Sequence, residues 1–522
     1  MSQAALCSVR LDLIAPEIVL ATFGMLALAM ERLVDRDRQY WVGYLSFFGV
    51  VGAMLALAVL KWKVVPQAGP EDVESAFSGL FVYDTFSFFF KYLFLIATGL
   101  VILVSMRYLD EERAHHGEYY SVLLFATLGM MFMASGSDLI TMFVGLELMA
   151  LSAYVLVGFA RTSRRSNEAA MKYFVLGAMS SAFFVYGVSL FYGVAGSTSL
   201  DVIAAKVTGE GASSMALLGL ILLSVGLAFK VAAVPFHAWA PDVYEGAPTP
   251  VTAYLSVASK AAAFAILLRI LLQGLYDLRD SWTVLLSILA IASMVFGNLV
   301  AVVQDNVKRM LAYSSIAHAG YALIGVLAAG ASVPDSVAAG DHQAWVLDLQ
   351  RWAQGGVLIY LFAYTFMNIG AFGLVAYLRR RDIVGEDIRD FAGLAQRSPW
   401  AAGAMTVFLL SLGGIPPTAG FVGKLILFSS AIKAQLWLVA IVAVLMTAVS
   451  LYFYLRIVVQ MFIKEPREEA GYAWSWELVS GVAVALFATL LVGLWPQPFV
   501  EMARRSILKL EPASELVSRL LF

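Results

Sequence analysis

Apolar residues in this sequence gather into long runs and do not alternate or recur on a single helical face. Fourteen runs reach about 17 residues or more, the length a helix needs to cross a hydrocarbon core. They occupy residues 14–30, 40–60, 81–106, 119–136, 139–160, 169–192, 215–241, 249–272, 282–303, 309–329, 354–377, 400–431, 436–462 and 477–495, spans 1 to 14 in order. Backbone groups in lipid must be satisfied within one segment, so runs of this kind predict helices. The expected fold is an all-α polytopic membrane protein of about 14 transmembrane helices. An even count returns both termini to one side. The first run lacks a basic leader and a convincing cleavage site, so it reads as a retained anchor and not a signal peptide.

Between the spans, Lys and Arg concentrate in the loops that follow odd-numbered spans, most densely in RTSRRSNE at 161–168 and RRRDIVGEDIRD at 379–390. The positive-inside rule places those loops in the cytoplasm and both termini outside. The same two loops suit a cytoplasmic partner as well as they suit topological anchoring. The tail from 499 to 522 mixes basic and apolar residues and is expected to lie along the outer interface. No Pro- or Ser-rich linker divides the chain.

Charges inside the spans are few, and each calls for a reason: at mid-bilayer one costs roughly 2.5 to 3.5 kcal/mol even on the gentler insertion scales. Span 7, within MALLGLILLSVGLAFKVAAVPFHAWAPD from Met215 to Asp242, carries Lys230 near its middle and Pro235 five residues later. Proline removes one donor and frees a carbonyl, which is acceptable at that depth only beside other protein or a water-filled cavity. Glu147 in span 5, Lys260 in span 8, His318 in span 10 and Lys424 in span 12 also sit well inside their runs. Lys172 lies about a turn inside span 6, where snorkelling to the cytoplasmic face competes with a buried role. Glu17, Asp84 and Lys91 complete the set. Asp84 and Lys91 are seven residues apart, two helical turns, and so are expected on one face with a packing or subunit-contact role.

Composition agrees with the pattern and narrows the chemistry. The chain has 522 residues, 61% hydrophobic and 14% charged, with a mean hydropathy of +0.81 and a net charge of −2, so no nucleic-acid partner is suggested. Cys7 is its one cysteine, which excludes a cysteine-ligated cluster or an internal disulfide framework. Neither a dinucleotide fingerprint nor a P-loop occurs. No metal is implied, because Glu147, Lys172, Lys230, Lys260, His318 and Lys424 offer one carboxylate where a hard cation wants several oxygen ligands. Lysine and histidine with one acid suit protons: burial disfavours a charged amine, a nearby carboxylate favours it, and changing their separation switches proton affinity. Water must link such groups, and Ser180, Ser181, Ser224, Ser256, Ser259, Ser314 and Ser315 are placed to hold it. His237 and His318 also admit haem ligation as a pair, a weaker reading than hydrogen-bonded or proton-carrying histidines.

One internal echo organises the rest. AAVP at 232–235 returns as GGIP at 413–416, five spans later, so the two copies run in opposite directions through the membrane. Pro235 on one side and Pro416 and Pro417 on the other mark helix breaks, and matched breaks in inverted segments point to a transporter-type site near the midplane.

The run KVAAVPFHAWAPDVYEGAPTPVTAYLSVASKAA from Lys230 to Ala262 resembles the signature of the antiporter-like membrane subunits of respiratory complex I, the proton-translocating NADH:quinone oxidoreductase. NVKRMLAYSSIAHAGY at 306–321 and GGIPPTAGFVGK at 413–424 are similar to the same family, and PDVYEGAPTPV with SVASK looks like its N-type subunits more than their two larger relatives. The resemblance implies two inverted five-helix repeats, spans 4–8 and 9–13, with helices 7 and 12 broken, dividing the chain at 1–117, 118–275, 276–463 and 464–522. It also implies a subunit without a redox centre, with NAD, FMN, iron–sulfur clusters and quinone in partner subunits. Protons would move from the cytoplasm outward through Glu147, Lys172, Lys230, Lys260, His318 and Lys424. The implied partners are neighbouring antiporter-like and small membrane subunits in a bacterial plasma membrane. The loop at 330–353 and the acidic stretch at 466–469 look longer than the family pattern. Two rivals stay open: a subunit of a multi-subunit Na⁺/H⁺ antiporter, and a non-pumping scaffold.

Overall fold

The computed structural model describes residues 10–35, 40–64, 74–112, 117–207, 213–332, 342–379, 385–466 and 475–508. The acidic stretch at 466–469 and the tail from 509 onward fall wholly or mostly outside them, as do parts of the loops at 330–353 and 379–390.

All fourteen apolar runs are helical. Spans 1 to 6 are α1 (Ala15–Leu33), α2 (Tyr40–Val64), α3 (Thr85–Glu112), α4 (Gly117–Ser135), α5 (Leu139–Val157) and α6 (Arg164–Ala195), followed by a short α7 (Leu200–Lys206). Span 7 is split into α8 (Ser214–Val231) and α9 (Trp239–Gly246). Span 8 runs through α10 (Thr249–Tyr254), a π turn at Leu255–Ser259, α11 (Lys260–Arg269) and a second π turn at Ile270–Gly274. Spans 9 to 11 are α12 (Arg279–Val302), α13 (Val307–Ala329) and α14 (His342–Leu378), and α15 (Leu394–Arg397) is a single turn. Span 12 is split into α16 (Pro399–Gly413) and α17 (Ala419–Lys433), and α18 (Trp437–Ile463), α19 (Trp476–Leu494) and α20 (Gln497–Arg505) complete the order. Among the described residues thirteen helices are long and apolar enough to cross a membrane unaided, and the twelfth span crosses as two halves.

Two boundaries differ from the hydropathy reading. Phe81–Tyr83, expected to open span 3, instead form β2, paired antiparallel with β1 (Glu74–Ala76) in a small hairpin. The eleventh helix begins twelve residues before its apolar run. Its polar first turns are held by partners: Lys433 pairs with Asp348 at 2.8 Å, and Gln354 exchanges hydrogen bonds with Leu508.

Span 8 is wholly buried and spans 10 and 11 nearly so, which makes these three the centre of the molecule. The others surround them and face outward with apolar side chains such as Val144, Leu151, Ile288, Leu438 and Leu445. Close helix crossings use small residues, as membrane packing favours. Gly129 and Gly145 bring spans 4 and 5 together, and Gly297 and Gly320 do the same for spans 9 and 10; a Cβ at any of the four would lie under 3 Å from backbone of the facing helix.

Asp84 and Lys91, expected on one face in a packing or subunit-contact role, each bond to a different helix, and Asp84 lies just outside α3. Lys91 meets Glu17 of α1 at 2.8 Å, both buried, and Asp84 precedes α3 and pairs with Arg269 of α11 at 3.0 Å. A buried charge needs an opposite charge within reach, and the nearest one comes from another helix in each case.

The two breaks match in detail. The helix before each ends on a left-handed residue, Ala232 at φ +59° and Gly414 at φ +83°. Its N–H bonds four and three residues back, and the next N–H, of Ala233 or Ile415, bonds five back to Ala228 or Leu410. Pro235 and Pro417, each following a cis peptide bond, come three residues after the left-handed residue. The register therefore pairs 232–235 with 414–417, one residue later than the AAVP–GGIP echo. Backbone conformation sets the equivalence, and it places Lys424 opposite Asp242, not opposite Lys230.

Candidate functional site: a buried polar axis

Lys230 is on the last turn of α8, immediately before the first break, and is almost wholly buried. Its amine has no hydrogen-bond partner among the described residues. Aromatic rings surround it instead, with those of Tyr154 and Phe229 each centred 5.9 Å away. Glu147 of α5 is within electrostatic reach of Lys230, but no ion pair joins them, and its carboxylate accepts a hydrogen bond from Ser181 of α6. The first lysine of the series is thus held by shape more than by bonds.

Lys260 is differently placed. It opens α11 just after a π turn, a local widening that often marks functional positions. Its amine donates to the hydroxyl of Ser315 at 2.6 Å and to the Ser315 carbonyl. One residue before, Ser314 shares a hydrogen bond with Tyr454 of α18, whose hydroxyl also lies 3.2 Å from Nε2 of His318. Nδ1 of His318 meets the hydroxyl of Tyr360 on α14. His318 thereby has a tyrosine on each ring nitrogen, between Lys260 on one side and Lys424 on the other.

Lys424 reaches back across the second break. Its amine donates to the carbonyls of Leu412 at 2.9 Å and Gly413 at 3.2 Å, the free acceptors at the end of α16. A helix C-terminus carries partial negative charge and unpaired carbonyls, so a cation there meets both needs. Gly414 makes room: a Cβ on it would lie 2.9 Å from Cδ of Lys424. The ring of Tyr321 is centred 4.9 Å from the same amine.

Of the six residues in the expected series, the structure sets Glu147 near Lys230 and groups Lys260 and Lys424 around His318, and Lys172 stands apart from both. Its side chain is exposed and bridges Glu168 at 2.9 Å and Asp242 of α9 at 2.7 Å. Asp242 is also bound by Arg309 of α13 at 2.9 Å, which holds Glu245 as well. His237 is partly buried with its ring edge on Phe296 and has no His318 beside it; His318 is taken up by tyrosines. Pro235, Pro416 and Pro417 are exposed at their breaks. Of the serines, Ser180 bonds the Gly226 carbonyl and Ser256 accepts from Asn368.

Sequence reading missed Tyr360 and Tyr454, since a tyrosine in an apolar run looks like packing. It also missed two buried cations. Arg269 lies inside span 8 and pairs with Asp84, and the amine of Lys308, at the foot of span 10, is occupied by Glu386 and the carbonyls of Glu245 and Ala247. For both, the available signal was a cation within a turn of a span end.

The family model described as "NADH:quinone oxidoreductase/Mrp antiporter, TM" matches residues 136–339 and 345–450. The chain is 47% identical to NADH-quinone oxidoreductase subunit N 2 of Solibacter usitatus, covering 95% of this chain and 97% of that one. It is 44% identical to subunit N of Trichlorobacter lovleyi, covering 96% and 97%. Among solved structures it is similar to a chain of respiratory complex I from Thermus thermophilus with bound aureothin, at 32% identity and a TM-score of 0.75 over 94% of this chain and 99% of that one. A chain of the Mrp complex from Dietzia sp. has the same fold, with a TM-score of 0.79 at 23% identity over 98% of each.

Proposed function

Because the chain belongs to the antiporter-like membrane subunits of NADH:quinone oxidoreductase, in the subunit N branch, we propose that it translocates protons across the plasma membrane without a redox centre of its own. Quinone reduction in partner subunits drives the movement. NAD, FMN and iron–sulfur clusters belong to those partners, and the neighbouring membrane-arm subunits border this chain. Two inverted repeats, spans 4–8 and 9–13, frame the path, with both termini outside.

The observation that carries this reading is the contrast between the lysines on one buried axis. Lys230 has no hydrogen-bond partner, while Lys260 and Lys424 are anchored by hydroxyl and carbonyl oxygens. An amine free to gain or lose a carboxylate neighbour is a gate, and an amine in a fixed cradle is a relay point. Protons taken up from the cytoplasm load Lys230 while Glu147 is near. They pass by water to Lys260, through Ser315, Ser314, Tyr454 and His318, and leave outward by way of Lys424. Lys172 serves the cytoplasmic end through Asp242 and is not a relay point. Moving one charge against 100 mV costs about 2.3 kcal/mol, which a change of under about two pKa units supplies. A modest rearrangement therefore suffices.

The test is Lys230→Ala in the purified, reconstituted complex, with proton pumping read alongside NADH:quinone turnover. Pumping is expected to be abolished while the complex assembles. Wild-type pumping removes the gate, and loss of assembly alone favours the scaffold.

A further inference from the structure

A cavity of about 390 Å³ opens between the end of α5 and the start of α6, beside the loop proposed to be cytoplasmic. Arg161 and Asn167 stand at its rim, Gly158, Ala170 and Met171 form its walls, and Tyr154 lines its inner end. The same Tyr154 ring is the one centred 5.9 Å from Nζ of Lys230. Its side chain is over nine-tenths buried, and its hydroxyl, like the Lys230 amine, has no hydrogen-bond partner among the described residues. Two orphaned polar groups on neighbouring buried side chains are rare unless water or function claims them. The ring is also fixed. Tyr173 and Phe174 meet it edge-on at 4.8 and 5.7 Å between centroids, and Gly177 leaves space for the hydroxyl, since a Cβ there would lie 2.0 Å from it.

We propose that this α5–α6 cavity is the uptake route to Lys230 and that Tyr154 is the proton-transfer residue between the two. A water in the cavity gives a proton to the Tyr154 oxygen as the hydroxyl proton passes, directly or through one water, to the neutral Lys230 amine. Tyr154 ends the step unchanged, one proton has moved inward, and the hydroxide left in the cavity is passed back along the water to the cytoplasm, where a hydronium ion or a buffer acid neutralises it. Arg161 at the mouth is exposed and ion-paired with Glu118 of α4 at 2.7 Å. The uptake route rests on the pumping role proposed above, and the experiment separates the two.

The whole complex in closed vesicles, with the α5–α6 loop facing out, is the material. In a Cys7→Ser background, Ala170→Cys is probed with a charged, membrane-impermeant methanethiosulfonate. Tyr154→Phe keeps the ring contacts and deletes the hydroxyl. Ala170→Cys is expected to label from the loop side and to lose pumping on labelling. Tyr154→Phe is expected to pump about tenfold slower or worse, within what a positioned proton-transfer group contributes, with a larger D₂O effect that a packing defect would not produce. Failure of Ala170→Cys to label from that side overturns the route, whatever the fate of Tyr154→Phe. Wild-type rate and isotope effect in Tyr154→Phe overturn the role of the hydroxyl. If Lys230→Ala is silent while Tyr154→Phe pumps normally, the pump survives and its uptake lies elsewhere; if Lys230→Ala pumps, both readings fall.

Discussion

At the scale of single residues, Lys230 and Lys424 are the same chemical group in opposite energetic standing. Lys424 completes a helix end, so Lys424→Met leaves the Leu412 and Gly413 carbonyls without their donor. Unsatisfied buried acceptors cost on the order of 1–3 kcal/mol, and a lower thermal unfolding midpoint in mild detergent is the expected readout, together with lost pumping. Lys230 has no hydrogen-bond partner among the described residues, so Lys230→Met removes a buried amine without orphaning one of them. That variant is expected to unfold at or above the wild-type temperature while pumping is lost. A function kept at the expense of stability gives this sign. Equal destabilisation by the two changes would show that Lys230 is a structural cation like Lys424.

At the scale of elements, the breaks are alike in backbone and unlike in side chains. Ala232 accepts a left-handed conformation with a Cβ, whereas Gly414 needs its hydrogen, because Lys424 lies across it. Gly414→Ala is therefore expected to displace Lys424 and to lower pumping and stability together, whereas Ala232→Gly should affect pumping little; the two are compared in the same reconstituted assay. The N-terminal helices are tied by a different device. Lys91→Met strands the buried carboxylate of Glu17, and breaking such a pair costs about 3–5 kcal/mol. Pumping per assembled complex is expected to stay near wild type, and the loss to appear in the unfolding midpoint, because Lys91 is paired with Glu17 and not with a member of the lysine series. Lower pumping without lower stability would bring Glu17 and Lys91 into the path.

At the scale of the whole molecule, three buried spans form the centre, and the proposed relay enters them from span 7 and leaves by span 12. Glu147 is only partly covered by this chain, and Val144 and Leu151 beside it on α5 are exposed. An acid turned toward lipid is costly, so the proposed assembly sets a neighbouring membrane subunit against α5. Orientation has its own check. With Cys7 replaced, Thr162→Cys is expected to label only from the cytoplasm and Ser214→Cys only from outside, since span 6 separates them; both residues are exposed. The opposite result would invert the direction of pumping assigned here.

The local order of residues was enough to determine the number of spans, the two breaks and the identity of Lys230, Lys260, His318 and Lys424, because hydropathy and proline act along a single segment. Partnership was decided only in three dimensions. Lys260 finds Ser315 across 55 residues of chain and His318 finds Tyr454 across 136, and Asp84 leaves its helical neighbour Lys91 for Arg269. An apolar run looks the same whether it faces lipid or protein, since lipid tails are as apolar as leucine. Hydropathy therefore could not tell that span 8 is wholly buried, that Lys172 lies at the surface, or that two tyrosines close around a histidine.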